Sequence, residues 1–205
     1  GLSQPWQTFR PGGMGPRAFV EFAWENYGIK VSLDPEAARP GRSAKELKAT
    51  WLRRWTEMAR YFMVVDSILT SGDGRVRQLR ANRVRGGARY CAAANTFFQG
   101  LAADGAKAAL WRVTRECYDV PSSPLFGSRP VVFVHDEIIS EVPADRAHEA
   151  AERQAEIMIS TMREFVPDVW ISAEPALMTC WSKQADTVRD AAGRLIPWEP
   201  KKKEQ

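Results

Sequence analysis

The chain has 205 residues, 44% of them hydrophobic, which is enough for a domain-sized core. Its net charge is only +4, so contacts with a polyanion have to come from local basic clusters. No apolar run approaches the length of a membrane span and no signal peptide is visible, so we expect neither. Three widely spaced cysteines form no metal knuckle or disulfide framework, which predicts a reducing compartment: Cys91, Cys117 and Cys180.

The N-terminal region is predicted to hold one helix between irregular segments. Residues 1–15 are rich in glycine and proline and are predicted to be irregular. Pro16 suits the first turn of a helix, which we expect to stop near Gly28. A charged linker follows over residues 34–42.

A long helix is predicted after this linker. Ser43 and Glu46 have the spacing of a capping box, so the helix should begin there. We expect its tryptophans to pack in the core, while a cofactor role for them is the alternative. The helix should end at a turn over residues 71–74. Its apolar positions fall on one face: Leu47, Trp51, Trp55, Met58, Phe62 and Val65.

Basic residues are dense between Arg75 and Arg85, where five arginines occur in eleven positions. Such a cluster suits contacts with phosphates. The alternative is a solvated loop without a ligand.

A helix of small residues is predicted from about residue 88 to residue 118. Asn95 and Gln99 are spaced i, i+4 in it, so both amides lie on one face. Amide donors of this kind can read the acceptors that every base pair shows in the minor groove. The alternative is a buried amide pair that caps loops inside the core.

The most informative segment is the predicted hairpin over residues 131–142, which follows a loop at 121–130. An apolar run leads into His135, Asp136 and Glu137, and a second apolar run leads out. A hairpin tip holds a carboxylate rigidly and leaves it open to a ligand, as metal-dependent phosphoryl transfer requires. The alternative is an ordinary surface hairpin.

The C-terminal region is predicted to contain a helix, a strand and a tail. Asp145 should cap the helix and Pro167 should end it. A strand is expected at 170–173 and a mobile tail with three lysines at 197–205. The helix should turn an apolar set inward: Ala147, Ala151, Ala155, Met158, Met162 and Phe165.

The order and spacing of these motifs resemble the C-terminal half of a family A DNA polymerase, of the bacterial DNA polymerase I kind. The resemblance covers about residues 74–182 and rests on Asn95-x-x-x-Gln99-Gly-x-Ala-Ala-Asp-x-x-Lys107, followed by the strand and the residues at 135–137. The segment from Thr70 to Arg77 also resembles the turn before the long polymerase helix. The amino-acid sequence of the segment at 98–107 is most similar to that of phage members of the family.

The resemblance implies roles for the hairpin residues. Asp136 would bind Mg²⁺ in a two-metal mechanism and help to position the reacting oxygens. His135 would contact the primer end, and Glu137 would support the site from the opposite face.

The resemblance also implies DNA contacts upstream of the hairpin. Asn95 and Gln99 would check the minor groove of newly formed pairs, and Arg75 and Arg77 would hold template phosphates. Cys91 is a departure, because the family often has an arginine there.

Two expected parts of such a polymerase have no match in the sequence. One is the upstream strand with the other catalytic aspartate, and the other is the nucleotide-binding helix. Gly1-Leu2 resembles the position just after that helix. We therefore expect a C-terminal subunit or fragment that needs an N-terminal polymerase chain, as a heterodimer, to supply both. The alternatives are a non-catalytic DNA-binding remnant and a piece of a cut polymerase.

The resemblance implies an α+β fold, with long helices packed on a small antiparallel sheet that forms part of a polymerase palm, plus a helical fingers segment. Residues 1–73 would be partial fingers with a connecting helix, 74–190 the C-terminal palm portion, and 191–205 a basic tail. Primer–template DNA and deoxynucleoside triphosphates would be the ligands. The expected location is the cytoplasm of a bacterium or phage-infected host, at the nucleoid.

Overall fold

A proline and a glycine delimit the first helix, α1 (Pro16–Tyr27). The computed structural model describes residues 15–34 and 43–200. Gly28 follows the helix with a φ of +63° and donates its N–H to the carbonyl of Trp24 at 2.9 Å. The predicted bounds are therefore confirmed, while the predictions for 1–14 and for 35–42 lie outside the described residues.

The predicted capping box is present at the start of α2 (Ala44–Arg54). The Ser43 hydroxyl oxygen accepts from the backbone N–H of Glu46 at 3.3 Å, and the Glu46 carboxylate accepts from the Ser43 N–H at 3.2 Å. Two N–H groups that lack helical partners are thereby satisfied.

The prediction of one continuous helix over this region was wrong, because the helix breaks at Trp55 and α3 (Thr56–Ser71) begins after it. The Trp51 and Phe62 rings lie 6.2 Å apart between centroids. In a straight helix their backbones would be separated by about 16.5 Å along the axis. The predicted core role of the tryptophans was also wrong, since Trp51 and Trp55 are 42% and 52% exposed. Phe62 and Val65 of the same predicted face are buried, as expected.

A short antiparallel pair, β1 (Val76–Arg77) and β2 (Val84–Arg85), follows the turn after α3. Burial raises the pKa of Tyr61 to about 12, with a further contribution from Tyr90. The Tyr61 hydroxyl donates to a carbonyl in the next helix, that of Ala94. Val65, Val76 and Ala93 are the buried residues of this core, with partly buried neighbours around them: Tyr61, Ile68, Leu69, Ala88, Tyr90, Ala94 and Phe97.

The predicted small-residue helix is present, with a π-helical turn inside it. It consists of α4 (Tyr90–Asn95), the π turn (Thr96–Gly100) and α5 (Leu101–Asp119). The chain divides within this turn into two compact units, Gly1–Phe98 and Gln99–Gln205. The predicted polymerase subdomain limits at 73 and 190 stay predictions.

The second unit contains the predicted hairpin, formed by β3 (Arg129–Val134) and β4 (Glu137–Glu141). It is followed by α6 (Ala147–Phe165), which ends two residues before Pro167 as predicted. Asp145 was wrongly predicted to cap this helix, since it lies in a 3₁₀ turn and α6 has no side-chain cap.

Helices α5 and α6 pack on each other around an apolar core, and two arginine–glutamate pairs join them. Arg153 donates to both Glu116 carboxylate oxygens, and this contact holds the Glu116 pKa below its usual value. Arg112 pairs with Glu164 at 2.6 and 2.8 Å. Of the predicted inward face of α6, Ala155 is buried and Met158 is partly buried against this core. The other buried residues of α6 lie one position away from the predicted set: Ala150, Ile157 and Thr161.

The C-terminal segment forms a parallel pair, β5 (Leu177–Met178) with β6 (Pro197–Trp198). The predicted strand at 170–173 was wrong, and Trp170 is 84% exposed in a loop. The predicted tail at 197–205 is wrong at its start, because Pro197 belongs to a strand. Residues 201–205 lie outside the described part.

The mixture of helices with small sheets confirms the α+β class. The described strands form three separate pairs, two of them antiparallel. Among the described residues, no helix combines the length and the apolar character that crossing a membrane requires.

Candidate nucleic-acid and metal site

The turn of the β3–β4 hairpin consists of His135 and Asp136, between the paired residues Val134 and Glu137. His135 has a φ of +54°, in the left-handed region. A positive φ at only the first of two turn residues is the pattern of a type II′ hairpin. Sequence reasoning missed this backbone conformation, because glycine is its usual signal. The turn sets the Asp136 carboxylate at the tip of the hairpin.

Strand β4 fixes this hairpin to the rest of the second unit. Ile138 is 7% exposed and belongs to the core between α5 and α6. Gln154 of α6 donates to the Ile138 carbonyl at 2.8 Å and accepts from the Ser140 hydroxyl at 2.7 Å. Asp136 therefore lies beside an anchored strand, as a preorganised ligand site requires.

The three predicted site residues of the hairpin are exposed: His135, Asp136 and Glu137. Within the described part of the chain, none of their side chains makes a hydrogen bond or an ion pair. Carboxylate oxygens are the protein ligands that Mg²⁺ prefers, so Asp136 fits as one ligand of such an ion. The described residues contain no group of three His, Cys, Asp or Glu side chains that could hold a metal.

Strand β3 is apolar and open on both faces. Its last four side chains are 36–50% exposed, and Val131 interrupts the pairing with β4 as a bulge. In the described part, β3 pairs with β4 alone, so one strand edge has no hydrogen-bonded partner there. An apolar strand with a free edge is a typical place for another strand to add.

The predicted amide pair, Asn95 and Gln99, lies in the helical run where the chain divides into its two units. Asn95 is the last residue of α4, and Gln99 lies in the π turn. Both side chains are exposed and neither forms a hydrogen bond within the described residues, so the buried-pair alternative is wrong. The π turn was not foreseen, although such turns are frequent at functional sites.

The basic segment forms the β1–β2 hairpin of the first unit, and its arginines are all exposed. Arg75 pairs with Asp73 at 2.7 Å, and Arg77 donates to the Asn82 carbonyl at 3.3 Å. Both guanidinium groups thus keep an exposed surface for phosphates.

Arg85 joins the basic hairpin to the helical run that follows it. Its guanidinium donates to the Thr96 hydroxyl at 3.2 Å, and that hydroxyl donates to the Ala92 carbonyl at 2.7 Å. The hairpin is thereby fixed to the start of the π turn, beside Asn95. Arg80, at the loop between the strands, makes no hydrogen bond or ion pair among the described residues.

The family model described as DNA polymerase family A matches residues 41–183 of the chain. The chain belongs to this family. The matched range includes every predicted site residue of the polymerase, from Arg75 to Glu137. No curated protein and no solved structure matches the chain significantly.

Proposed function

We propose that this chain supplies the C-terminal palm portion of a DNA-directed DNA polymerase and acts together with an upstream polymerase part. The observation that carries the proposal is the exposed Asp136 carboxylate, at the tip of an anchored hairpin, in a chain of this family. The reaction is template-directed attack of a primer 3′-hydroxyl on a deoxynucleoside triphosphate.

The hairpin residues would act at the primer end. Asp136 would hold Mg²⁺, which when bound stabilises the charge that develops on the transferring phosphoryl group. His135 would contact the terminal primer nucleotide. Glu137 follows on the opposite face of the strand and would support the turn.

The helix amides and the basic hairpin would bind the duplex. Asn95 and Gln99 are exposed donors without competing partners in the described residues, which suits reading of minor-groove acceptors. Arg75 and Arg77 would bind template phosphates through their exposed guanidinium groups.

An upstream polymerase part is proposed as the partner because Asp136 alone does not complete a two-metal site. That part would carry the other aspartate and the nucleotide-binding helix, and the free edge of β3 offers it a place to join the sheet. We propose that the assembly works as a phage-type enzyme at the bacterial nucleoid.

A primer-extension assay tests this function. The purified chain is assayed alone and with an upstream fragment of a family A polymerase that ends after the nucleotide-binding helix. We expect extension with Mg²⁺ only in the mixture, at least about a thousandfold faster than with either part alone, since several kcal/mol of transition-state stabilisation depend on the metals.

Two results would contradict the proposal. Extension by this chain alone would mean that other carboxylates complete the site. Duplex binding without extension in a stable mixed complex would favour a non-catalytic DNA-binding remnant.

Gln99→Ala is expected to reduce discrimination against a mispaired primer end. Loss of one hydrogen bond to a groove acceptor should change the ratio of correct to mispaired extension by about 2- to 10-fold. The ratio is measured in the active mixture, with Gln184→Ala, another exposed glutamine, as the matched control. An unchanged ratio of correct to mispaired extension in Gln99→Ala would show that Gln99 does not contact the minor groove.

A further inference from the structure

We propose that the junction of α2 and α3 is a second DNA site, which binds single-stranded DNA by stacking an unpaired base on Trp55. The proposal rests on the polymerase function above, and it assigns this surface to the unpaired template strand. The junction lies in the first unit, and the hairpin acids lie in the second.

The helix break is what exposes the aromatic surface. Trp55 stands between the two helices with φ −120° and ψ 74°, and its N–H still bonds to the Trp51 carbonyl at 2.9 Å. Trp51 is held by stacking on the buried Phe62, with an angle of 27° between the rings. Trp55 has no such ring partner within the described residues and is 52% exposed. A large exposed ring on a fixed backbone is a suitable stacking platform.

The charge around this ring is suited to a polyanion. Residues 43–60 contain five lysines and arginines against two glutamates. The guanidinium of Arg54 lies 5.8 Å from the centroid of the Trp55 ring, and Arg53 and Arg60 are exposed nearby in the sequence. A base stacked on the ring would therefore carry its phosphate close to a cation. This charge disfavours an apolar protein partner as the occupant.

Single strands are favoured over duplexes by the chemistry of the platform. A base can stack on a side chain only when its own neighbour in the helix has been removed, as in an unpaired template. The basic β1–β2 hairpin differs in this respect, because it offers arginines without an exposed tryptophan.

The test measures the affinity of the full chain for a labelled oligothymidylate and for a duplex of equal length, by fluorescence anisotropy. We expect Trp55→Ala to weaken binding of the single strand about tenfold or more and to leave duplex binding nearly unchanged. Trp55→Phe, which keeps an aromatic face, should retain most of the affinity, and it separates stacking from any loss of folding.

The matched control is Trp170→Ala. Trp170 is 84% exposed and also has an arginine, Arg163, 5.8 Å from its ring centroid. The Trp170→Ala variant should bind the single strand with the same affinity as the unaltered chain. Equal affinities of Trp55→Ala and Trp170→Ala would overturn the proposal, and so would a change in oligomeric state on Trp55→Ala without a change in DNA affinity, which would indicate a protein contact.

Failure of this proposal is distinguishable from failure of the polymerase function. Asp136→Ala should keep single-strand affinity and lose extension. A chain that extends primers with its partner but binds single strands independently of Trp55 would contradict only the stacking site.

Discussion

Asp136→Ala is expected to abolish primer extension by the chain together with its upstream partner. The carboxylate would bind Mg²⁺ during the chemical step, and loss of several kcal/mol of transition-state stabilisation corresponds to at least about a thousandfold slower turnover. Binding of primer–template should change little, because phosphate contacts made elsewhere supply most of the affinity. Parallel extension and anisotropy titrations measure the two effects.

The matched control for this substitution is Glu141→Ala. Glu141 is an exposed acid of the same hairpin, at the far end of β4. The Glu141→Ala variant should show only slightly reduced extension, since loss of this side chain leaves the turn intact. Near-normal turnover of Asp136→Ala would show that the carboxylate at the tip is not a metal ligand, and equal losses in both variants would indicate a defect of the whole hairpin.

The upstream polymerase fragment is expected to form a 1:1 complex with this chain and to raise its melting temperature. A partner present at about one hundred times its Kd stabilises by about 2.7 kcal/mol, which corresponds to roughly 5–10 °C for a chain of this size. Val132→Lys should prevent the complex, because the side chain lies in the open apolar strand β3. It should change the melting temperature of the free chain little, since Val132 is 45% exposed there.

Val169→Lys provides the matched control for the interface. Val169 is 57% exposed in a loop after α6, outside the hairpin. The Val169→Lys variant should form the complex normally, as measured by size-exclusion chromatography with light scattering. A melting temperature that does not move on adding the fragment would count against the complex, and equal loss of binding in both variants would place the interface elsewhere than β3.

The hairpin and its acid followed from the sequence because both depend on local information. Short apolar runs rich in β-branched residues define the strands, and a short polar segment between them defines the turn. The capping box at Ser43 and the bounds of α1 followed for the same reason, since caps involve residues three or four positions apart.

The break at Trp55 could not be predicted in this way. Its flanking sequence contains no proline or glycine, and the apolar spacing continues through it. The stack of Trp51 on Phe62 accompanies the break, and periodicity does not report such a contact between two helices. The burial of Ala150 and Ile157 in α6 has a similar origin, because both belong to the core that this helix shares with α5.

The sequence by itself determined the family, the order of the motifs and the identity of the candidate ligand at Asp136. Only the tertiary structure decided which of these side chains are accessible. It placed Asn95 and Gln99 in solvent, gave Arg85 a structural contact with Thr96, and left β3 open on both faces. The physical reason is that accessibility depends on which distant residues cover a side chain, and those contacts are not local in the sequence.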